Sequence, residues 1–196
     1  MKTHTGTTTL AVLAIVVCGG TAMRSPLLAE QTPGQSRSTA PAAREDRSRM
    51  SDVERLLAIE DIKRLKARYY RCMDTKDWAC LEAVFAPDAQ ARFLGSRDED
   101  PQSVQPLVGR AKVAGHIRQA VETRVTVHHG HMPEIEITSP TTGRGIWAME
   151  DRLQGPDGKN LLTGYGHYHE TYERIDGAWT IKTLLLTRLR VDRGQP

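Results

Sequence analysis

Apolar side chains recur at Leu56, Ile59, Ile62, Leu65, Tyr69 and Met73, a spacing of three and four that predicts one long helix with a single buried face. Ser51-Asp52-Val53-Glu54 places an acid three residues after a serine, the capping-box pattern that would start it. Glu60, Asp61, Lys63, Lys66 and Arg68 are then expected on the solvent side. A second, short helix is predicted over residues 78–85, opened by Asp77 and ended by Pro87. A short strand around residues 89–94, a polar loop over 95–105 and a third helix over 112–124 follow. From Thr126 the period shortens. Residues 126–138, 145–153, 161–174 and 179–191 are rich in β-branched and aromatic side chains, and Ser139-Pro140, Gly155-Pro156-Asp157-Gly158 and Asp176-Gly177 separate them. Helices first and long antiparallel strands second predict an α+β domain, its helices on one face of a bent sheet that can curl around a pocket.

The first fifty residues do not share this pattern. Lys2 precedes an unbroken apolar run from Leu10 to Cys18, too short to span a bilayer, and small residues follow at Gly20-Thr21-Ala22 and again at Leu27-Leu28-Ala29. Residues 1–29 are therefore expected to be a signal peptide, and the Ser-, Pro-, Ala-, Gln- and Arg-rich stretch 30–50 a disordered linker, with the domain over 51–196. Such a chain would be exported, periplasmic or secreted, with no stable membrane insertion after cleavage. Valine before Cys18 is the wrong residue for a lipoprotein anchor. Hydrophobic residues are 39% of the chain, low for a compact domain, which agrees with part of it lying outside the core. Residues 1–50 carry a net +3 and residues 51–196 a net of zero, and a neutral domain with no basic stripe argues against a nucleic-acid partner. Export makes a bond between Cys72 and Cys80 chemically possible. Their spacing does not demand it, and two small buried thiols are the expectation.

Candidate chemistry gathers where the strands begin. Three of the seven histidines fall in His128-His129-Gly130-His131. They can be read as a metal cluster, as plain sheet surface, or as a site with one base facing a pocket and a carboxylate behind it. His129 and His131 share a strand face and His128 opposes them, while Ile135 and Ile137 fall on the face of His129. Gly130 and Pro133 permit a bulge that would re-aim these segments. Asp151 interrupts the apolar row Trp147, Met149, Leu153, and Arg188 ends the row Leu184, Leu186; charges in such rows need partners. Tyr69 and Asp74 close the first helix. Five residues set them about 140° apart on an ideal helix, so the helix would have to loosen near Met73 if both lined one pocket.

From Leu56 to Val191 the chain resembles the SnoaL-like branch of the superfamily named after nuclear transport factor 2. The segments that carry the resemblance are residues 62–66 and 69–74, His128-His129-Gly130-His131-Met132-Pro133-Glu134-Ile135, and residues 147–153 and 172–179. Within that branch the pattern is nearest the bile-acid 7α-dehydratases, with scytalone dehydratase and hexachlorocyclohexane dehydrochlorinase more distant. The resemblance implies a cone of curved sheet and helices around an apolar pocket. It puts catalytic roles on Tyr69, Asp74, His128 and Asp151, with Arg188 as the pocket arginine. Trp147, Tyr168 and His131 are expected to contact substrate. No cofactor and no metal are implied. The expected function is a dehydratase in which His128 takes a carbon-bound proton from a hydrophobic polycyclic, steroid-like hydroxy-ketone and water departs. A ketosteroid-type isomerase and an exported, non-catalytic binder of a hydrophobic small molecule are the alternatives. Relatives associate through the outer sheet face, which makes a homo-oligomer the expected state. An exported chain and an unlike loop over residues 93–108 are where it departs from that family.

Overall fold

Ser51 opens the long helix as a reciprocal cap: its hydroxyl accepts from the Glu54 N–H, and the Glu54 carboxylate accepts from the Ser51 N–H at 2.8 Å. In this computed structural model, which describes residues 50–194, the elements run α1 (Asp52–Asp74), α2 (Trp78–Ala83), β1 (Phe85–Phe93), β2 (Leu107–Val108), α3 (Arg110–Val121), β3 (Val125–Ser139), β4 (Thr142–Gln154), β5 (Asn160–Ile175) and β6 (Ala178–Arg193). The expected signal peptide, Cys18 and linker residues 30–49 lie outside the described residues. The strands form one sheet in the order β2-β1-β6-β5-β4-β3, antiparallel except where β1 runs parallel to β6. This is the expected α+β architecture. Among the described residues no helix is long and apolar enough to cross a membrane.

The core lies between the helices and the inner face of the sheet. Ile62, Leu65, Tyr69 and Met73 of α1 meet Val113 and Ile117 of α3 and the inward rows Trp147, Met149, Leu153 and Tyr168, Tyr172. Two expectations for α1 fail. Leu56 is exposed, because the first turns of the helix carry no buried face. Lys66, expected in solvent, is wholly buried. It lies four residues after Ile62 and three before Tyr69, which puts it on the apolar face.

The second helix also ends earlier than predicted. Val84 caps it, its carbonyl accepting from the Ile181 N–H, and Phe85 already pairs with β6 and packs edge-on against Tyr69. Pro87 lies inside β1, where the pairing with β6 is interrupted between Phe85 and Gln90, so its missing N–H costs no ladder bond. Cys72 and Cys80 form a disulfide, with Cα atoms 5.7 Å apart, in place of the two separate thiols expected. It ties the last turn of α1 to α2.

β3 changes phase along its length. Thr126 and His128 point inward, and so does Ile137 further on. These positions are compatible because the pairing with β4 slips between His131 and Glu134, where Met132 takes a φ of 31°. Before the slip, Gly130 passes over Tyr70. A Cβ there would stand 2.7 Å from Cε2 and 2.9 Å from Cζ of that ring. The Tyr70 hydroxyl is buried and has no hydrogen-bond partner among the described residues. Gly130→Ala is therefore expected to cost about 1–3 kcal/mol by overpacking, whereas Tyr70→Phe, which removes an unpaired hydroxyl, costs nothing or stabilises. Urea denaturation checks both; a Tyr70→Phe midpoint well below wild type would show that the hydroxyl has a partner.

Candidate active site

The end of α1 is held by two backbone bonds, Lys76 N–H to Met73 O and Asp77 N–H to Cys72 O, around Lys76 at φ 62°. That is the Schellman arrangement with a lysine in the left-handed position. It fixes Asp74 as the last helical residue beside β3, which among the described residues is an edge strand of the sheet. Asp74 covers that edge. Its Oδ2 accepts from the His128 backbone N–H at 2.9 Å, and its Oδ1 lies 2.6 Å from His128 Nδ1 and accepts from Thr126 Oγ1 at 2.9 Å. Lys76 Nζ donates to the same threonine hydroxyl at 2.8 Å. Burial alone would raise the Asp74 carboxyl. The hydrogen bonds and charge of His128, with Thr126 behind them, outweigh it and hold the group below its ordinary value. In the neutral imidazole an ionised Asp74 places the proton on Nδ1, which leaves the lone pair on Nε2.

The His128 side chain, 5% exposed, forms part of the wall of a cavity of about 140 Å³. Tyr69, Tyr168, Asp151 and Arg188 also line it, and Met73, Ile117, Leu153 and Leu186 make it apolar. Asp74 does not line it. The condition under which the helix would have to loosen near Met73, both residues lining one pocket, is not met. The angular spread of the helix directs Tyr69 into the cavity and Asp74 behind the histidine.

Asp151 lies opposite His128 in the β3–β4 register and is 4% exposed. Arg188 grips it with both terminal nitrogens, Nη1 to Oδ1 at 3.0 Å and Nη2 to Oδ2 at 2.8 Å. The intervening strand makes room for them with a glycine, since a Cβ on Gly164 would overlap both the carboxylate and the guanidinium.

Beneath the two cavity tyrosines sits the buried lysine. Lys66 Nζ is 2.5 Å from Glu170 Oε1, and lies 4.2 Å from the Tyr69 ring centroid and 3.6 Å from that of Tyr168. Glu170 also accepts from Tyr172 at 2.6 Å, whose hydroxyl accepts from Trp147 Nε1 at 2.8 Å. Burial lowers the Lys66 pKa to about 8 against the opposing pull of Glu170, which still leaves it protonated at neutral pH. Burial is also the first cause, ahead of neighbouring negative groups, that holds the Tyr69 and Tyr168 hydroxyls above their ordinary values, so both are neutral donors.

Five of the eight residues singled out in the sequence thus meet at one cavity, and Asp74 supports it from behind. Two do not belong to it. Trp147 is buried in the Glu170–Tyr172 network, and His131 lies exposed on the outer face of the sheet. His116 and Phe93, stacked at 5.4 Å on the cavity wall, carry no signal in the sequence, because nothing there places a loop-flanking strand end beside α3. Gly164 was equally silent. A larger open groove of about 690 Å³ on the outer face, lined by Glu134, Arg144, His169 and Leu185 among others, is bordered by Glu170 and by none of the cavity residues.

Residues 54–184 match the SnoaL-like domain family. A probable cyclase of Gibberella zeae is 25% identical over 133 residues, covering 65% of this chain and 89% of the relative. A provisionally assigned scytalone dehydratase of Novosphingobium aromaticivorans superposes with a TM-score of 0.61 at 19% identity, covering 72% of this chain and 90% of its own. A type-3 hexachlorocyclohexane dehydrochlorinase of Novosphingobium barchaimii gives 0.61 at 18% identity, over 73% and 94%. These two likenesses establish the fold.

Two measurements test the electrostatics. Lys66→Met strands a buried carboxylate and is expected to cost about 3–5 kcal/mol in urea denaturation, while Lys66→Met with Glu170→Gln costs less; a double variant no more stable than the single one would contradict the pairing. Asp74 has a depressed folded pKa, so its stabilising contribution is full above the ordinary carboxylate range and is lost as pH falls through that range toward the folded value. Asp74→Asn should flatten the acid limb of thermal stability against pH, and limbs of equal steepness would rule this out.

Proposed function

The chain belongs to the SnoaL-like domain family of the nuclear-transport-factor-2-like superfamily, and from that premise we propose that it is a cofactor-independent lyase, a dehydratase that takes a carbon-bound proton from an apolar cyclic hydroxy-ketone and releases water. The observation that supports this reading is the 2.6 Å pair of His128 Nδ1 and Asp74 Oδ1, with the imidazole in the wall of an apolar cavity.

The chemistry follows from the geometry. His128 Nε2 takes the proton from a carbon made acidic by a neighbouring carbonyl, and Asp74 holds the ring and stabilises the imidazolium that forms. Charge moves onto the carbonyl oxygen, where the neutral Tyr69 and Tyr168 hydroxyls donate to it. The enolate then expels the hydroxyl, which takes the proton from the imidazolium and leaves as water, so His128 returns to its starting state. Arg188, satisfied by Asp151 on its terminal nitrogens, brings no free cation to the cavity. That disfavours a role in fixing a substrate carboxylate and leaves the pair to orient the departing hydroxyl.

Size narrows the substrate. The pocket of about 140 Å³ is close to the volume of about 150 Å³ that holds a benzene-sized guest, and it opens to solvent, so further parts of a substrate would extend through its mouth. A substrate whose enclosed part is one ring or two small ones is proposed; the steroid-like compound expected from sequence would not be held whole.

The test is turnover of small cyclic β-hydroxy-ketones in deuterated water, followed by mass spectrometry. Loss of water is expected. His128→Ala should abolish it with unchanged circular dichroism, and Asp74→Asn should lower kcat by about 10²–10⁴-fold. A product of unchanged mass with a migrated double bond would replace the dehydratase with an isomerase, and near-normal turnover by His128→Ala would remove the mechanism.

A further inference from the structure

His128 faces the cavity, so its neighbours on β3 face the other way. His129 and His131 are two residues apart on one strand and share the outer face of the sheet. His129 is the cross-strand partner of Glu150 on β4, and His131 is the next outward position before the strand slips at Met132. The result is two imidazoles and one carboxylate whose ligating atoms all lie within 4.8 Å of one another. The imidazole rings stand 6.0 Å apart at 62°, edge to face. Among the described residues neither ring has a hydrogen-bond partner, in contrast to His128 and His169. Glu150 receives Arg152 Nε on Oε1 at 2.9 Å, which leaves its second oxygen open.

From this arrangement we infer a second, non-catalytic site: His129, His131 and Glu150 form a three-donor face for a borderline divalent transition-metal ion of the zinc, cobalt or copper kind, on the side of the sheet opposite the cavity. The donor set suits such ions, because imidazole nitrogen with one carboxylate is the usual mixture for them and harder ions such as magnesium want oxygen alone. The distances suit them too. Three donors separated by 4.8 Å at most leave a common point no more than about 2.8 Å from each, and bonds of about 2.0–2.2 Å then need inward movements of less than about 1 Å. Exposed side chains make such movements by small rotamer changes. The remaining coordination positions face solvent. The ion would bridge β3 and β4 one residue pair away from His128 and Asp151, and would fasten the register that brings those two together.

The experiment is calorimetric titration of the untagged, metal-stripped full-length protein with Zn²⁺, and with Co²⁺ for its visible spectrum. One Zn²⁺ per chain is expected, with a dissociation constant on the order of 10 μM. His129→Ala, His131→Ala and Glu150→Gln should each weaken it at least about tenfold, with melting temperatures in chelator unchanged because all three are surface substitutions. Zn²⁺ should raise the melting temperature of wild type and not of the three variants. The nearby outward pair His167 and His169, also about a ring apart but without a carboxylate, is the control, and His167→Ala/His169→Ala should bind as wild type does. Absence of binding, or binding that survives all three substitutions, overturns the proposal. Loss of binding in the His167/His169 variant alone would place the ion elsewhere and overturn it equally.

Discussion

A strand with a period of two cannot send both His128 and Ile137 into the same interior unless its register slips once between them. The slip between His131 and Glu134 is that event, with Met132 in a left-handed conformation as its hinge. The rest of the arrangement depends on it. Upstream, the inward face of β3 holds Thr126 and His128, the two side chains that meet Asp74. Downstream, Ile135 and Ile137 turn inward to pack with the helices. The outward residues of the upstream half, His129 and His131, become a surface pair beside Glu150. One extra residue in one strand thus separates two groups of histidines that the sequence presents as a single cluster.

The charged groups within the fold are arranged by the cost of isolating them. Lys66 with Glu170, Asp151 with Arg188, and His128 with Asp74 each join elements far apart in the chain. Lys66 and Glu170, wholly buried, and Asp151 and Arg188, nearly so, are not tolerable without their partners in so apolar a setting. The consequence is geometric as much as energetic: α1 is located against β3 and β5, and β6 against β4, by bonds that permit little sliding. Between the three pairs lies the cavity, whose wall sets Tyr69, Tyr168, the imidazoles of His116 and His128 and the Asp151–Arg188 pair among apolar side chains. The Cys72–Cys80 bond adds a covalent tie close to Asp74, where the helix must end on a particular residue for the carboxylate to reach β3.

What the amino-acid sequence determined by itself was the succession of elements and the inventory of reactive groups. Periods of 3.6 and 2 are local properties, and the capping serine, the turn residues and the alternating rows around Asp151 and Arg188 express them within a few neighbours. The resemblance pointed to Tyr69, Asp74, His128, Asp151 and Arg188, of which four line one cavity while Asp74 lies behind His128. Tertiary structure alone decided the rest, because each remaining feature is a relation between distant segments. Lys66 looked like a surface charge until Glu170, 104 residues away, lay against it. Trp147 looked like a pocket aromatic until Tyr172 took its N–H. The angle between Tyr69 and Asp74 looked like an obstacle, and became the means by which one helix end supplies both a cavity wall and the carboxylate behind His128. Which histidine faces inward could not be read from spacing, since a single bulge inverts every later side chain and its position is fixed by the partner strand.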